Sequence, residues 1–461
     1  MVCILHRRRL IIFFLILSSL VSLTGMSLHP GAKISDPFSS EMLLKERDFM
    51  AVPSNELQTA EYLEISLTTM GRGDPLYVWF GHSGLVVSDL RNERSVMYDY
   101  GIFSFDDNFY QTFALGRMNY EVWATSDSAR IALAIEEDRD ITSLKLQLPA
   151  SAEVALVSFL NFNIQPENSL YLYHHYRENC ATRIRDLLDK AVNGQLRTWA
   201  TAMPYKLTLR EIVSRHTASS PFIDWALNYL QSGSIDRSIS LWEAMFLPEV
   251  LEDALLQFTY EDQSGNRIPI VKERTILHTA TPGIRPLVAE QEVSLFLPTF
   301  LVSVAAALVS IITGRLMPGS RFQTIRRLGR FFYGTITFAW TFTVGILSLL
   351  LLFMMIMSSH DVTYFNENIV FTTPWLLVMA IQSIRTARGN PKSERRFHKA
   401  NTVLAIAIGV LILMKGVLFD VLIQDNWTIM FTMLPLYIAN SSIPFERITS
   451  WFVPKIDDSA W

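Results

Sequence analysis

The sequence predicts an α+β exported domain followed by an all-α transmembrane bundle of about five helices. Three observations carry that expectation. The chain opens on a basic cluster and a short apolar run. Its long middle mixes β-type runs with helical patterns. Its last third is a series of apolar stretches whose connecting loops alternate between Lys/Arg-rich and Lys/Arg-free.

Half of the 461 residues are hydrophobic, high for a soluble protein, and the mean hydropathy is positive. The 40 basic and 44 acidic side chains nearly cancel, so composition gives no reason to expect nucleic acid as a partner. The N-terminus reads His6-Arg7-Arg8-Arg9 and then runs apolar or small from Leu10 to Gly25. A basic segment before a short apolar core is the pattern of an export signal, so residues 1–30 are read as a signal peptide or signal anchor. Either form exports the domain downstream of it.

Residues 31–262 form the predicted extracytoplasmic domain. Leu76–Phe80, Gly84–Val87 and Ser95–Tyr98 are rich in Val, Tyr and Leu and read as strands, with Arg91–Arg94 as the turn of a hairpin over 76–100. Segments 152–162, 167–177, 180–193 and 221–232 carry helical patterns. The Pro- and Gly-containing stretch 263–293 reads as extended structure or a linker to the membrane.

Apolar spans follow at about 294–314, 331–357, 369–384, 400–421 and 427–443, within a membrane region of 294–443, and 444–461 is a tail. A spanning helix needs roughly 20 apolar residues. The loop after the first span holds Arg315, Arg321, Arg326, Arg327 and Arg330; the loop after the third holds Arg385, Arg388, Lys392, Arg395, Arg396 and Lys399. The loops 358–368 and 422–426 hold no Lys or Arg. Positive charge is retained on the cytoplasmic side, so the large domain is placed outside the cytoplasmic (inner) membrane. Lys415 lies near the outer end of the fourth span, where its stem allows snorkelling.

The chain has two cysteines, Cys3 and Cys180, and only Cys180 lies in the exported part. It has no partner there for an intramolecular disulfide. Asn179 is a good helix N-cap residue, Ile184, Leu187, Leu188 and Ala191 follow at helical spacing, and Gly194 is a natural stop. Cys180 therefore falls in a first helical turn, where the dipole and free N–H groups favour a thiolate and can bind an oxyanion. An inert buried cysteine is the other reading of the same residue. His82, between Gly81 and Gly84 on a β-type run, has the chemistry to take the thiol proton and return it to a leaving group. Alone, it also reads as an ordinary histidine.

His174 and His175 precede the cysteine closely and read mainly as local support. No CxxC or HExxH spacing is present, and no metal or other cofactor is expected. Pairing about the 91–94 turn sets Asp99, Tyr98 or Tyr100 beside His82, a one-residue shift deciding which; Asp99 is favoured as the orienting group. Arg183 and Arg185 either bind an anionic group or pair with Asp186 and Asp189.

Taken together, Gly81-His82-Ser83-Gly84, Tyr98–Phe105, Phe113–Tyr120 and Asn179–Asp186 resemble the Lnb family over roughly residues 60–230. Lnb proteins are bacterial lipoprotein N-acylating transacylases. The resemblance implies a circularly permuted papain-like domain in which His precedes Cys, as in NlpC-type and lecithin:retinol acyltransferase-like proteins. It implies Cys180 as nucleophile, His82 as base, and Asn179, Thr182 and Arg183 as residues shaping the site. It also implies diacylated lipoproteins and membrane lipids as substrate. The rival readings are a cell-wall thiol peptidase or amidase using the same pair, and a non-catalytic membrane-anchored binding module.

Overall fold

A computed structural model describes residues 57–103, 108–284, 288–292 and 294–442. The expected signal region and C-terminal tail lie outside these residues. Seven strands form one antiparallel sheet in the order β6-β4-β3-β2-β1-β5-β9. They are β1 (Leu63–Met70), β2 (His82–Asp89), β3 (Arg94–Ile102), β4 (Asn119–Ser126), β5 (Ile141–Leu146), β6 (Leu170–Leu172) and β9 (Val271–His278). Strands β7 (Thr259–Glu261) and β8 (Arg267–Pro269) make a separate ribbon.

Around the sheet lie α1 (Phe109–Ala114), α2 (Asp127–Glu136), α3 (Ala150–Asn163), α4 (Cys180–Ala191), α5 (Gln195–Thr201), α6 (Leu209–Thr217), α7 (Pro221–Leu230), α8 (Leu241–Ala244) and α9 (Pro248–Gln257). The last six residues of β1 are all buried, so its alternating side chains are covered on both faces. On one face Met70, Val86, Met97 and Ile141 pack with Ala134 of α2.

The hairpin forms, but it is β2 with β3, and the segment before it departs from expectation. Leu76–Val78 is a 3-10 turn rather than a strand. Pro75 precedes it, Val78 returns its carbonyl to Gly73 N–H at 3.1 Å, and Gly81 at φ +77° redirects the chain into β2. The helix expected over 167–177 is also absent. Leu170–Leu172 instead pairs with β4 as an edge strand, and His174 and Glu178 bridge a tight turn. The alternation Leu-Tyr-Leu-Tyr has the two-residue period of a strand, and that period prevails here. The expected linker is likewise structured in part: β9 lies within it and pairs with β5 along the whole of that strand, closing one edge of the sheet.

The membrane part holds α10 (Phe296–Ile311), α11 (Gln323–Ile356), α12 (Leu376–Ala387), α13 (Pro391–Val417) and α14 (Trp427–Ala439). Three segments, Phe296–Gly319, α11 and α13, are long and apolar enough to cross a membrane; α12 and α14 are apolar but shorter. The third expected span thus begins later than its apolar run, because 367–370 is a 3-10 turn and Pro374 precedes the helix. Helix α11 is roughly 50 Å long at 1.5 Å per residue, and its first turns carry Arg326, Arg327 and Arg330. Small residues let the helices close up: a Cβ on Gly345 would stand 2.9 Å from the Leu377 backbone nitrogen.

The end of the bundle without Lys/Arg-rich loops receives the sheet domain. Tyr229 and Trp225 of α7 pack with Phe371, Leu376 and Tyr437 in the bundle core. Tyr229 Oη and Thr372 Oγ1 are 2.9 Å apart, and the side-chain amides of Asn366 and Asn368 each donate to the Tyr229 carbonyl at 3.0 Å. Lys415 does not snorkel to open water. Its ammonium is buried against Glu367 at 2.6 Å and donates to the Leu422 and Gln424 carbonyls at 3.2 and 2.7 Å. Lys415→Met leaves that carboxylate buried and unpaired, a loss of about 3 kcal/mol. The expected result is a lower thermal unfolding midpoint in detergent, partly regained in the double variant with Glu367→Gln.

Candidate active site

The site is assembled where β2 begins, β3 ends and α4 starts. Asn179 caps α4: its Oδ1 accepts the Thr182 N–H at 2.9 Å, and the Thr182 hydroxyl accepts the Asn179 N–H at 2.8 Å. The Asn179 side-chain amide also donates to the His175 and Phe246 carbonyls, both at 2.9 Å. This double anchoring fixes the helix start, and Cys180 is its first residue. The N–H groups of Cys180 and Ala181 lead the helix, with no carbonyl one turn back to bond. Asn179 and Thr182 therefore set the position of Cys180 through the backbone.

Cys180 hydrogen-bonds the His82 ring, and the Ser83 N–H donates to its sulfur. His82 Nε2–H donates to Asp99 Oδ1 at 2.5 Å, which leaves Nδ1 for the thiol. Asp99 lies opposite Gly84 in the β2/β3 ladder, so it shares a face with Gly84 and with His82 two residues earlier. Gly84 makes room for this: a Cβ there would stand 3.2 Å from Asp99 Oδ1 and 2.7 Å from Met97 Sδ. Tyr98 and Tyr100 alternate to the other face, where their hydroxyls donate to Asn161 and Asn163 of α3 at 2.7 Å each. The register brings Asp99, and not its tyrosine neighbours, to the imidazole.

Electrostatics favour an ion pair. Burial pulls the His82 pKa down, but the Cys180 and Asp99 charges and their hydrogen bonds outweigh it and raise it to about 9. Burial pushes the Cys180 thiol up, yet the His82 charge and hydrogen bond and the Ser83 N–H bring it below its ordinary value. Asp99 is buried, which alone would raise it; His82 and then Arg130 hold it lowered.

Arg130 is the residue that sequence reasoning missed. From α2, its Nε donates to Asp99 Oδ2 at 2.9 Å, the carboxylate oxygen that His82 leaves open. No local pattern marked it, because an arginine on a polar helix reads as solvated until the packing of α2 on β3 is known. Arg183 pairs with neither Asp186 nor Asp189. Its Nε lies 3.2 Å from Glu178, with the guanidinium 4.4 Å from the Tyr171 ring centroid. Arg185 does pair with Asp186, at 2.8 Å. His174 hydrogen-bonds Asp361, in the loop after α11, at 3.0 Å, and Arg177 pairs with the same carboxylate. The two histidines before the cysteine thus help seat the sheet domain on the bundle, His175 stacking on His360 at 5.8 Å.

A thiol on a helix N-terminus, an imidazole and a carboxylate in line, carried by an α+β domain seated on apolar helices, define a membrane-held thiol–histidine protein. Two family models match this chain: the Lnb N-terminal periplasmic domain over residues 55–215 and the Lnb transmembrane domain over residues 290–437. The chain belongs to the Lnb family. It is an inner-membrane protein with a periplasmic domain, and its family makes it a lipoprotein-modifying membrane protein. No curated protein and no solved structure matches it.

Proposed function

We propose that the protein moves an acyl chain from the diacylglyceryl group of a lipoprotein's N-terminal cysteine to that cysteine's own amine, through a thioester on Cys180. The observation that carries this reading is the Cys180–His82–Asp99 alignment on a domain docked to the outer end of a membrane bundle. The substrate ester lies at the outer leaflet, and the docking keeps the thiol near that level.

The thiolate of Cys180 attacks the ester carbonyl, and the leading N–H groups of α4 face the developing oxyanion. The tetrahedral adduct breaks its carbon–oxygen ester bond, and the glyceryl oxygen leaves with the proton of the His82 imidazolium. Neutral His82 then takes a proton from the lipoprotein's amine as its nitrogen attacks the thioester. The carbon–sulfur bond breaks, and the thiolate–imidazolium pair is restored. One ester becomes one amide, with no oxidant, metal or nucleotide in the balance. Asp99 holds the ring and stabilises its charge in both steps.

A wall peptidase would use the same pair. Acyl transfer is favoured because α7 is built into the bundle core, which ties the domain to the membrane far more firmly than a single anchor would. The test is expression of the wild-type chain in a strain that lacks lipoprotein N-acylation, with mass spectrometry of one lipoprotein's N-terminal peptide. An N-acyl, S-monoacylglyceryl peptide supports the reading. A peptide that keeps a free amine and two glyceryl esters overturns it.

Within this reading Arg130 is a positioning residue. Arg130→Gln is expected to lower acyl transfer by about tenfold and to move the acid limb of the pH–rate profile to higher pH, because the Asp99 carboxylate loses a positive partner that holds its pKa down. Arg130→Lys should regain part of both. A purely structural role would leave that acid limb in place.

A further inference from the structure

Between the thiol and the outer end of the bundle runs a continuous series of aromatic rings. Tyr173 lies close enough to Cys180 to feel its charge, and its ring stacks on Tyr120 at 4.2 Å. Tyr120 stacks on Phe103 at 4.9 Å, and Phe103 stacks on Phe109 of α1 at 5.7 Å. Phe113, one turn further along α1, lies 5.7 Å from His360 and 6.4 Å from His175. His175 closes the series, edge-on to Tyr173 at 5.3 Å.

One end of this series thus lies within electrostatic reach of the Cys180 sulfur. The other is on His360, four residues beyond the end of the spanning helix α11, at the end of the bundle that carries the periplasmic domain. The seat is firm at that end: His360 Nε2 and the Phe113 carbonyl are 2.7 Å apart, and the Ser359 N–H donates to the Leu115 carbonyl at 2.8 Å.

Two further properties bear on what could lie along the rings. They are open on one side: Tyr110, edge-on to Phe109 at 5.6 Å, is 80 % exposed and Phe113 is 43 % exposed. The track is also uncharged. Burial lowers the His175 pKa to about 3, and burial raises those of Tyr120 and Tyr173. A hydrocarbon chain would lose water along its whole length.

We propose that this aromatic shelf is the acyl-chain subsite, on which a fatty chain drawn from the outer leaflet lies with its ester carbonyl at Cys180. The inference rests on the acyl-transfer reading and adds where the chain lies and which residues set preference for its length. Each methylene buried against a ring is a factor of about four in binding, so loss of one ring face should cost about tenfold.

The experiment uses the full chain in detergent with two synthetic diacylglyceryl-cysteine peptides, one with palmitoyl and one with butyryl chains. Phe113→Ser and Tyr110→Ser are compared with Phe113→Leu, and iodoacetamide labelling of Cys180 reports whether the site is intact. The serine variants are expected to lose about tenfold in kcat/KM on the palmitoyl peptide, with butyryl turnover and labelling unchanged and with Phe113→Leu close to wild type. An active wild type whose serine variants treat both chain lengths alike overturns the shelf alone. A wild type inactive on both peptides overturns acyl transfer and the shelf with it. Should Phe113→Ser label slowly, Tyr110→Ser, at the more exposed position, decides.

Discussion

Cys180→Ala is expected to remove lipoprotein N-acylation altogether, a loss of about 10⁴-fold or more. In the proposed reaction the sulfur carries the acyl group between ester and amine, and no other cysteine lies in the periplasmic domain. Alanine fits the space and keeps the Asn179–Thr182 cap, so export and folding should persist. Cys180→Ser is expected to fail as well. A hydroxyl is far less acidic than a thiol, and His82 cannot hold it as an alkoxide at neutral pH. The check is the N-terminal peptide of one lipoprotein, read by mass spectrometry beside an immunoblot of the membrane fraction. N-acyl product from a well-expressed alanine variant would remove Cys180 from the mechanism.

His82→Ala should lower acyl transfer by about 10³-fold and change how the thiol titrates. In the wild type, burial opposes the thiolate while the His82 charge and hydrogen bond favour it, and the second set prevails. Without the imidazolium, the Ser83 N–H and the helix start are left to oppose burial and the Asp99 charge, so the thiol pKa should rise. At pH 6 the variant should alkylate more than about tenfold slower than wild type. The sign at high pH is also set. His82 keeps its proton until about 9, so wild-type alkylation should be nearly level across neutral pH and change as that proton leaves. The variant should instead climb steadily with pH. A wild type that climbs like a free thiol would mean that the ion pair does not form.

Much of the site was legible because its signals are local. A helix start needs a capping side chain and an apolar period, and Asn179 with Ile184, Leu187 and Leu188 supplies both within one short segment. The tight β2/β3 turn let the register be counted outward to Asp99. The reading failed where local periods compete. Leu170–Tyr173 carried enough apolar residues for a helix but formed an edge strand, because β4 offered an unpaired edge. Residues 271–278 looked like a tether and became β9 for the same reason, at β5.

Other features arose only when distant segments met. Arg130 reaches Asp99 across 31 positions of chain. His174 and Arg177 find Asp361 from nearly two hundred residues away. Lys415 was legible as a charge at the outer end of a span, but its partner Glu367 lies in another loop.

Composition and short-range pattern were sufficient for the membrane plan, the exported side, the helix that presents Cys180 and the strand that presents His82. These rest on hydrophobic period, capping and charge placement, which act over a few residues. Tertiary packing alone decided that Arg130 backs the carboxylate, that the tyrosines turn away to α3, and that α7 locks the periplasmic domain into the bundle. Those contacts depend on burial and on the pairing of groups far apart in the chain, and nothing in a local window encodes which partner a buried charge will meet.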